Sequence, residues 1–227
     1  MKRLLLLLYL STILSSCKND LTSNLEDLTA PVLQAKGQYT SKMIGKSIWS
    51  TENLNVEVYR NGDSIKKCTT KTEWDSANHQ NIGAYIIFKN NETYHKKYGK
   101  LYNWYAVNDV RGLAPSGWHV ASKGEWDSMV KVLGDSAGYK LKSKFGWEKY
   151  VYEDISGNGD NSSGFNALPG GMFHNGYFSD LYKRGHWWTS SHLMDKNAFD
   201  RFVSVSNKIG WVLGGRESGM TVRVVKD

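Results

Sequence analysis

The sequence predicts an α+β fold, on three observations. Nine Trp, thirteen Tyr and 22 Gly occur with only three Pro in 227 residues, a composition typical of aromatic side chains packed on pleated strands between glycine-containing turns. Short segments with a period of two predict strands in the C-terminal half. One strong helical pattern predicts an amphipathic helix at about residues 122–134. We therefore expect a compact domain with short irregular strands, this one clear helix and long loops.

The first residues have the layout of a secretory signal. Two cations precede an apolar run over residues 4–14, an order typical of exported proteins. The run ends in Leu14-Ser15-Ser16-Cys17, which resembles a bacterial lipobox. We expect residues 1–16 to be removed and Cys17 to receive diacylglycerol. The alternatives are an ordinary signal peptide with a chance cysteine, or a short core segment.

The rest of the chain is predicted to form a tether and one domain. Residues 17–38 are polar and weakly patterned, which predicts a lipidated N-terminus and a flexible tether. Residues 39–227 are long enough for one sizeable domain. Loss of Lys2 and Arg3 lowers the formal charge from +7 to +5. Because the remaining cations are scattered, we expect no nucleic-acid partner. No later stretch approaches the roughly 18 apolar residues that span a bilayer, so acylated Cys17 is the expected membrane attachment.

Local patterns place the elements of the N-terminal half. Residues 44–54 predict a first strand, and Asn61-Gly62-Asp63 predicts a turn. Residues 72–77 predict a short helix capped by Thr72, and residues 85–88 predict another short strand.

The clearest element is the helix at 122–134, which follows an extended segment at 118–120. Ser122 and Glu125 have the spacing of a capping box, and Gly134 lies where a left-handed C-terminal residue is favoured. Four apolar residues occupy one helical face: Trp126, Met129, Val130 and Leu133.

Beyond Gly157 the pattern is short strands between glycine-rich turns. Strands are predicted at 165–168, at 186–191 and at the end of the chain near Val222 and Val224. Further along, Phe199, Arg201, Val203 and Val205 alternate with Asp200, Phe202, Ser204 and Ser206, which is a period of two.

Several phrases together resemble a known family. In order, they are Leu101-Tyr102-Asn103-Trp104-Tyr105-Ala106-Val107-Asn108-Asp109, Arg111-Gly112-Leu113-Ala114-Pro115, Gly117-Trp118-His119-Val120, Glu125-Trp126, Asn161-Ser162-Ser163-Gly164-Phe165-Asn166-Ala167-Leu168-Pro169-Gly170-Gly171, Trp187-Trp188-Thr189-Ser190-Ser191 and Thr221-Val222-Arg223-Val224-Val225. Their order and spacing resemble the Fibrobacter succinogenes major paralogous domain, from about Gly45 to the C-terminus.

The resemblance implies a secreted or surface protein of a Bacteroidetes-type bacterium. Its fold is similar in outline to the C-type-lectin-like fold, which formylglycine-generating enzymes share. A Cys often precedes the last Val in this family, but Val224 stands there in this sequence. Any cystine bridge of the family is therefore inapplicable here.

The sequence lacks the residues needed for the copper chemistry of formylglycine-generating enzymes and for calcium-dependent sugar binding. Formylglycine-generating enzymes use a cysteine pair for copper, whereas Cys68 is alone once Cys17 carries lipid, and a lone thiolate does not supply two sulfur ligands. We expect Cys68 to be a buried small side chain. The Glu-Pro-Asn, Gln-Pro-Asp and Trp-Asn-Asp segments of calcium-dependent lectins are absent. We therefore expect no catalysis, no cofactor and no metal.

One loop leaves a calcium alternative open. Residues 153–161 are rich in oxygen ligands and begin like an EF-hand, but Phe165 stands where the bidentate Glu should be. An Asx-rich turn without an ion is favoured. The six His show no pair at i, i+4, so no zinc motif appears.

Aromatic recognition is the remaining candidate function. Exposed Trp and Tyr faces stack on sugars or bind protein partners, and core packing is the alternative for each ring. The candidate ligand contacts are Tyr177, Trp187, Trp188, Trp211 and Arg184.

These observations lead to one function hypothesis and two alternatives. We expect a monomeric, non-catalytic ligand-binding or adhesion module for a glycan or protein ligand. Acylated Cys17 would hold it in the lipid bilayer of the outer membrane, and an outward-facing orientation is a further hypothesis. The alternatives are an envelope enzyme acting on polysaccharide or protein, and a purely structural envelope protein.

Overall fold

The computed structural model describes residues 37–193 and 197–227. The predicted signal segment, Cys17 and almost all of the predicted tether lie outside these residues. Among the described residues, no helix combines the length and apolar character needed to cross a membrane. The fold is α+β, as predicted.

The strands are β1 (Ser41–Ile44), β2 (Ser47–Ser50), β3 (Lys66–Cys68), β4 (Ala84–Ile86), β5 (Leu101–Tyr102), β6 (Trp118–Val120), β7 (Gly170–His174), β8 (Tyr177–Leu181), β9 (Arg184–Leu193), β10 (Asn197–Ser204), β11 (Ile209–Gly215), β12 (Thr221–Val222) and β13 (Val224–Lys226). The α-helices are α1 (Lys71–His79), α2 (Glu92–Tyr98), α3 (Trp104–Val107), α4 (Lys123–Leu133) and α5 (Ala137–Leu141), and 3-10 turns occur at Phe88–Asn90 and Gly134–Ser136.

Three sheets organise the described residues. The first has the order β1-β2-β13-β6, so the C-terminal strand lies between the N-terminal hairpin and the strand that leads into α4. The second has the order β3-β4-β5. The largest has the order β11-β10-β9-β7-β8, and β12 pairs in parallel with β9. Strand β11 therefore forms one edge of the largest sheet.

Helix α4 confirms the strongest local prediction. The Ser122 side chain accepts from the Glu125 backbone N–H, and Glu125 completes the capping box. Gly134 ends the helix with a φ of +71°, a conformation that glycine adopts without steric cost. Trp126 and Met129 are buried beneath α4. Local capping and helical periodicity were sufficient to predict this element.

Other predicted boundaries were wrong for local reasons. The strand at 44–54 is the β1–β2 hairpin followed by loop, because Gly45 turns the chain at a φ of +65°. The helix at 72–77 is longer and begins after Thr70, which forms a capping box with Glu73. The strand at 165–168 is absent; Ala167 makes only an isolated bridge to Lys142.

A buried cation joins the N-terminal and C-terminal parts of the fold. Arg223 lies between β12 and β13 with no exposed surface. Its guanidinium donates to the carbonyl oxygens of Ser50, Phe165 and Asn166 at 2.7, 2.9 and 3.0 Å, and to Asn53 Oδ1 at 2.6 Å. Burial lowers the pKa of Arg223 to about 9, so it stays charged at neutral pH. Since a buried charge is costly unless its donors are satisfied, these four acceptors explain why the charge is tolerated.

Candidate ligand-binding groove

Two of the candidate ligand contacts are core residues, and that part of the prediction was wrong. Trp187 and Trp188 are both 0% exposed. Trp187 Nε1 donates to Asn53 Oδ1 at 2.8 Å, and Trp188 Nε1 donates to the Tyr102 carbonyl oxygen at 2.9 Å. Successive residues point to opposite faces of β9, and both faces of this strand are covered. Neither indole is therefore available to a ligand.

The other aromatic candidates are exposed but do not share a site. Tyr177 on β8 is 75% exposed and Trp211 on β11 is 49% exposed. Trp211 pairs with Arg201 across the strands, and its ring contacts Phe199 edge-on at 5.5 Å, with Lys123 Nζ 5.0 Å from the ring centroid. Its side chain therefore faces α4, on the opposite sheet face from that of Phe202.

Arg184 lines a groove at the start of β9. The groove has a volume of about 900 Å³ and lies between residues 148–152 and the ends of β10 and β11. Its aromatic lining consists of Tyr150, Tyr152 and Phe202, and Trp211 borders it at the sheet edge. We call this surface the aromatic groove.

The rings of the aromatic groove are placed on two walls. Tyr150 and Tyr152 contact each other edge-on at 5.7 Å on the loop wall, and Tyr152 is 87% exposed. On the sheet wall, Phe202 lies across from Gly210, where a Cβ would come within 2.9 Å of the Phe202 ring. Gly210 therefore makes room for the ring. The Arg184 guanidinium lies 5.8 Å from the Phe202 ring centroid, so a cation and an aromatic face are presented together.

Positive charge predominates among the groove's lining residues. Its cations are Lys149, Lys183, Arg184 and Lys208, and its carboxylates are Glu148 and Asp180. Lys208 is exposed and makes no ion pair within the described ranges. The surface therefore combines apolar rings with an excess of cations, which suits an anionic ligand.

A buried imidazole lies beneath the groove between two carboxylates. His186 is 5% exposed; its Nε2 lies 3.0 Å from Asp180 Oδ2, and its Nδ1 lies 3.9 Å from Asp200 Oδ2. The hydrogen bond to His186 lowers the pKa of Asp180, whereas burial raises the pKa of Asp200. Asp180 lines the groove but Asp200 does not. Of the two carboxylates that contact His186, only that of Asp180 is therefore presented to the groove.

A second buried cation fixes the strand end that forms the groove floor. Lys142 is 0% exposed, and its Nζ donates to the carbonyl oxygens of Gly157, Ser204 and Val205 at 2.5, 3.2 and 3.0 Å. These three acceptors match the three donors of an ammonium group. Burial lowers the pKa of Lys142 to about 8. Lys142 therefore holds the loop at Gly157 against the end of β10.

Several side-chain oxygens of the 153–161 loop are engaged within the protein. Asp154 pairs with Lys149 at 2.5 Å, Asn158 Oδ1 accepts from the Trp147 backbone N–H, and Asp160 Oδ1 accepts from Ser162. These contacts match an Asx-rich turn. Within residues 37–193 and 197–227, no group of three His, Cys, Asp or Glu side chains is placed to hold a metal. Calcium titration remains the direct test of this loop.

The free cysteine is buried, and two further histidines are in contact with other side chains. Cys68 is buried, as predicted, and burial raises the pKa of its thiol to about 11. His174 contacts Ser218 at 2.8 Å, and the His192 ring lies 5.1 Å from the Trp104 ring. His174 and His192 therefore contact different partners from those of His186.

Sequence reasoning missed Tyr150, Tyr152 and Phe202 as groove residues. A local signal exists for the first two, because two tyrosines flank Val151 in a segment that also carries Glu and Lys. No local signal marks Phe202, because the glycine that leaves room for its ring lies opposite it on the neighbouring strand β11.

Comparison with known protein families identifies the family of this chain. The model of the Fibrobacter succinogenes major domain matches residues 43–226, most of the chain. The protein therefore belongs to this family, as the ordered motifs predicted. No curated protein and no solved structure matches the sequence.

Proposed function

We propose that this protein is a cell-envelope lipoprotein whose domain binds an anionic polysaccharide in the aromatic groove. The observation that carries the proposal is the arrangement of Tyr150, Tyr152 and Phe202 beside Arg184 in an open groove of about 900 Å³. Aromatic faces offer rigid apolar area to the C–H faces of sugar rings, and the cations offer donors to carboxylate or sulfate groups.

Binding without cleavage is favoured by the placement of the acids. Of Asp180 and Asp200, only Asp180 lines the groove, and it is already bonded to His186. Glu148 lies 3.9 Å from Lys183 on the loop wall. A polysaccharide hydrolase needs a proton donor and a second carboxylate on either side of one glycosidic bond. Because the two lining carboxylates, Asp180 and Glu148, are each engaged with a neighbouring side chain, we propose recognition as the role of the groove.

The location and the finer fold are parts of the same proposal. The lipobox-like ending at Cys17 supports attachment to the outer membrane through lipid. Residues 17–38 would hold the domain away from the bilayer, facing outward. Long loops over short strands, with α4 following β6, support the C-type-lectin-like outline.

Affinity electrophoresis through gels containing polygalacturonate tests the binding proposal, with neutral amylose as the comparison polymer. We expect polygalacturonate to retard the protein and amylose to leave its mobility nearly unchanged. Tyr152→Ala and Arg184→Gln should each weaken binding about tenfold, as expected for central contacts.

Tyr177→Ala is the matched control, since it removes an exposed tyrosine that does not line the groove. Equal losses in Tyr152→Ala and Tyr177→Ala would refute the groove as the site. Retardation by neither polymer would refute the proposed ligand class. Attachment is tested separately, by palmitate labelling of Cys17 and of a Cys17→Ser variant in cells.

A further inference from the structure

A buried cluster away from the aromatic groove places a nucleophile against an electrophile. Lys100, immediately before β5, is 0% exposed, and Asn55, in the loop after β2, is 3% exposed. Lys100 Nζ donates to Asn55 Oδ1 at 2.7 Å and to the Asn55 carbonyl oxygen at 3.0 Å. Because a C=O bond is about 1.23 Å long, the side-chain amide carbon Cγ lies no more than about 3.9 Å from Nζ. This upper limit approaches the roughly 3–3.5 Å of a near-attack arrangement.

The two segments that carry this pair are joined on either side of it. Asn53 Nδ2 donates to the Tyr98 carbonyl oxygen at 2.7 Å, and the Tyr102 hydroxyl donates to the Val56 carbonyl oxygen at 2.7 Å. These contacts fix the loop against the start of β5. Two side chains held in this way react at a lower entropic cost than groups that must first find each other.

The acceptors of Lys100 differ from those of Lys142, the other lysine that is 0% exposed. Lys142 donates to three backbone carbonyl oxygens, which suits a purely structural cation. Lys100 contacts a side-chain amide, which carries a leaving group, and a carboxylate, since Glu57 Oε1 lies 3.3 Å from Nζ. An amine, an amide and a proton carrier are therefore in contact at one place.

The surroundings of Lys100 favour its nucleophilic form. Burial lowers the pKa of Lys100, and only the neutral amine has a lone pair for attack. The Tyr85 ring, whose centroid lies 5.3 Å from Nζ, contributes to the burial. The Glu57 carboxylate opposes loss of the proton through its charge, but it is also the base in contact with that proton.

A second group contacts the amide oxygen of Asn55. His95 Nδ1 lies 3.1 Å from Asn55 Oδ1, and His95 Nε2 lies 2.6 Å from Glu92 Oε2. Burial and the charge of Lys100 lower the pKa of His95, whereas Glu92 favours the protonated ring. Once Lys100 gives up its proton, its opposing charge is gone, and Nδ1–H can donate to Oδ1. A donor at this position stabilises negative charge that develops on the amide oxygen during attack.

We propose that Lys100 and Asn55 form an intramolecular isopeptide bond in the folded protein, with Glu57 transferring the proton. Neutral Nζ attacks Cγ of Asn55, and an electron pair of the C=O bond moves onto Oδ1. Glu57 takes the proton that Nζ loses and delivers it to Nδ2. The electron pair then returns from Oδ1, the Cγ–Nδ2 bond breaks and ammonia leaves. No oxidant or other reactant is consumed.

The link closes the chain covalently between residues 55 and 100, so it restricts the unfolded state. Its residues do not line the aromatic groove, and the reaction does not depend on the ligand proposed there.

Peptide mass spectrometry gives a direct test. The full chain is purified from cells, denatured and digested with trypsin. We expect a branched peptide in which residues 47–60 are joined to residues 98–111, because trypsin does not cleave after an acylated lysine. Its mass should be the sum of the two peptides less one ammonia, and fragmentation should place the link at Asn55 and Lys100. Asn55→Ala and Lys100→Arg should each abolish the branched peptide.

The role of the folded site is tested by following the reaction in time. Chain made by cell-free synthesis is sampled at intervals, in native buffer and in urea. We expect the link to form in native buffer and not in urea. Glu57→Gln should slow its formation at least about 100-fold, as expected for loss of a proton-transfer group. Lys142→Met is the matched control, since it removes a buried lysine that contacts no side-chain amide, and it should still form the link.

The wild type alone decides the proposal, even where a variant does not fold. Complete cleavage after Lys100 in folded protein kept for a day at neutral and at alkaline pH would overturn it. Loss of ammonia without the branched peptide would place the reaction at another asparagine and would also overturn it. Equal rates in urea and in native buffer would refute assembly of the site by the fold, and an unchanged rate in Glu57→Gln would refute the assigned proton transfer.

Discussion

Arg223 and Phe165 contact each other in two ways. The guanidinium lies 4.3 Å from the Phe165 ring centroid, and Nη1 donates to the Phe165 carbonyl oxygen at 2.9 Å. Phe165 belongs to the segment that precedes Pro169-Gly170-Gly171, and Arg223 belongs to the closing Thr-Val-Arg-Val-Val segment. Two motifs that identified the family are thus joined in the core by one buried cation.

Replacing Arg223 should destabilise the fold strongly. Arg223→Met leaves the carbonyl oxygens of Ser50, Phe165 and Asn166 without this donor, and breaking a buried charged network of this kind costs about 3 kcal/mol. Arg223→Lys should recover only part of the loss, because an ammonium group cannot reproduce the planar guanidinium donors. Urea unfolding measures both variants, with Arg184→Met as an exposed control. A loss below about 0.5 kcal/mol in Arg223→Met, typical of surface sites, would contradict this account.

Lys142 should make stability depend on alkaline pH. Burial lowers its pKa to about 8 in the folded protein, against about 10.4 in an unfolded chain. Between these values the unfolded chain binds more protons, so the stability contributed at this site rises with pH. The stability of the wild type relative to Lys142→Met should increase from about pH 7.5 to about pH 10, by no more than about 3 kcal/mol. Denaturant unfolding at each pH measures the difference; a constant or falling difference would show that the site does not titrate in this way. Lys144→Met provides the exposed control.

His119 should act in the opposite direction near neutral pH. Burial lowers its pKa, but hydrogen bonds with Asp227 and Glu125, at 2.7 and 2.8 Å, outweigh burial and leave the pKa raised. The added stability is fully present below about pH 6.5 and is lost as pH rises through the folded pKa. The wild type should therefore lose stability relative to His119→Gln from about pH 6 to about pH 8, by less than about 1 kcal/mol because the side chain is 42% exposed. Melting temperatures across this range give the measurement. Asp227→Asn should reduce the dependence, and an unchanged profile in that variant would argue against the assigned pair.

Cys68 should react only when the protein opens. Its side chain is fully buried, and burial raises its thiol pKa to about 11, so little thiolate is present or accessible at neutral pH. With Cys17→Ser as background, Ellman's reagent should modify Cys68 at least about 100-fold more slowly in the native protein than in denaturant. Equal rates in both conditions would show that this part of the core is open in solution.

A sequence prediction succeeded when its whole signal lay within a short segment of the chain. Helix α4 was predicted because its cap at Ser122 and its apolar face lie within a few residues of each other. Helix α2 was missed, although Asn91 caps its start and Gly99 ends it at a φ of +81°; its residues are mostly polar and show weak periodicity. The strand predicted at 165–168 failed because the backbone there accepts from the Arg223 side chain instead of pairing in a sheet.

Motif order along the chain was enough to place this protein in its family, and a period of two was enough to find β10. The local sequence did not show which aromatic side chains of a strand are exposed to solvent. Trp187 and Trp188 alternate across β9, yet layers formed by residues distant in sequence cover both, including Trp126 on one side and Tyr102 on the other. The aromatic groove likewise brings residues 148–152 together with residues 202–212, and Lys142 ties its floor at Ser204 and Val205 to Gly157. Burial and cavity shape are set by contacts between distant segments, so they emerge when the chain folds and have no short sequence signature.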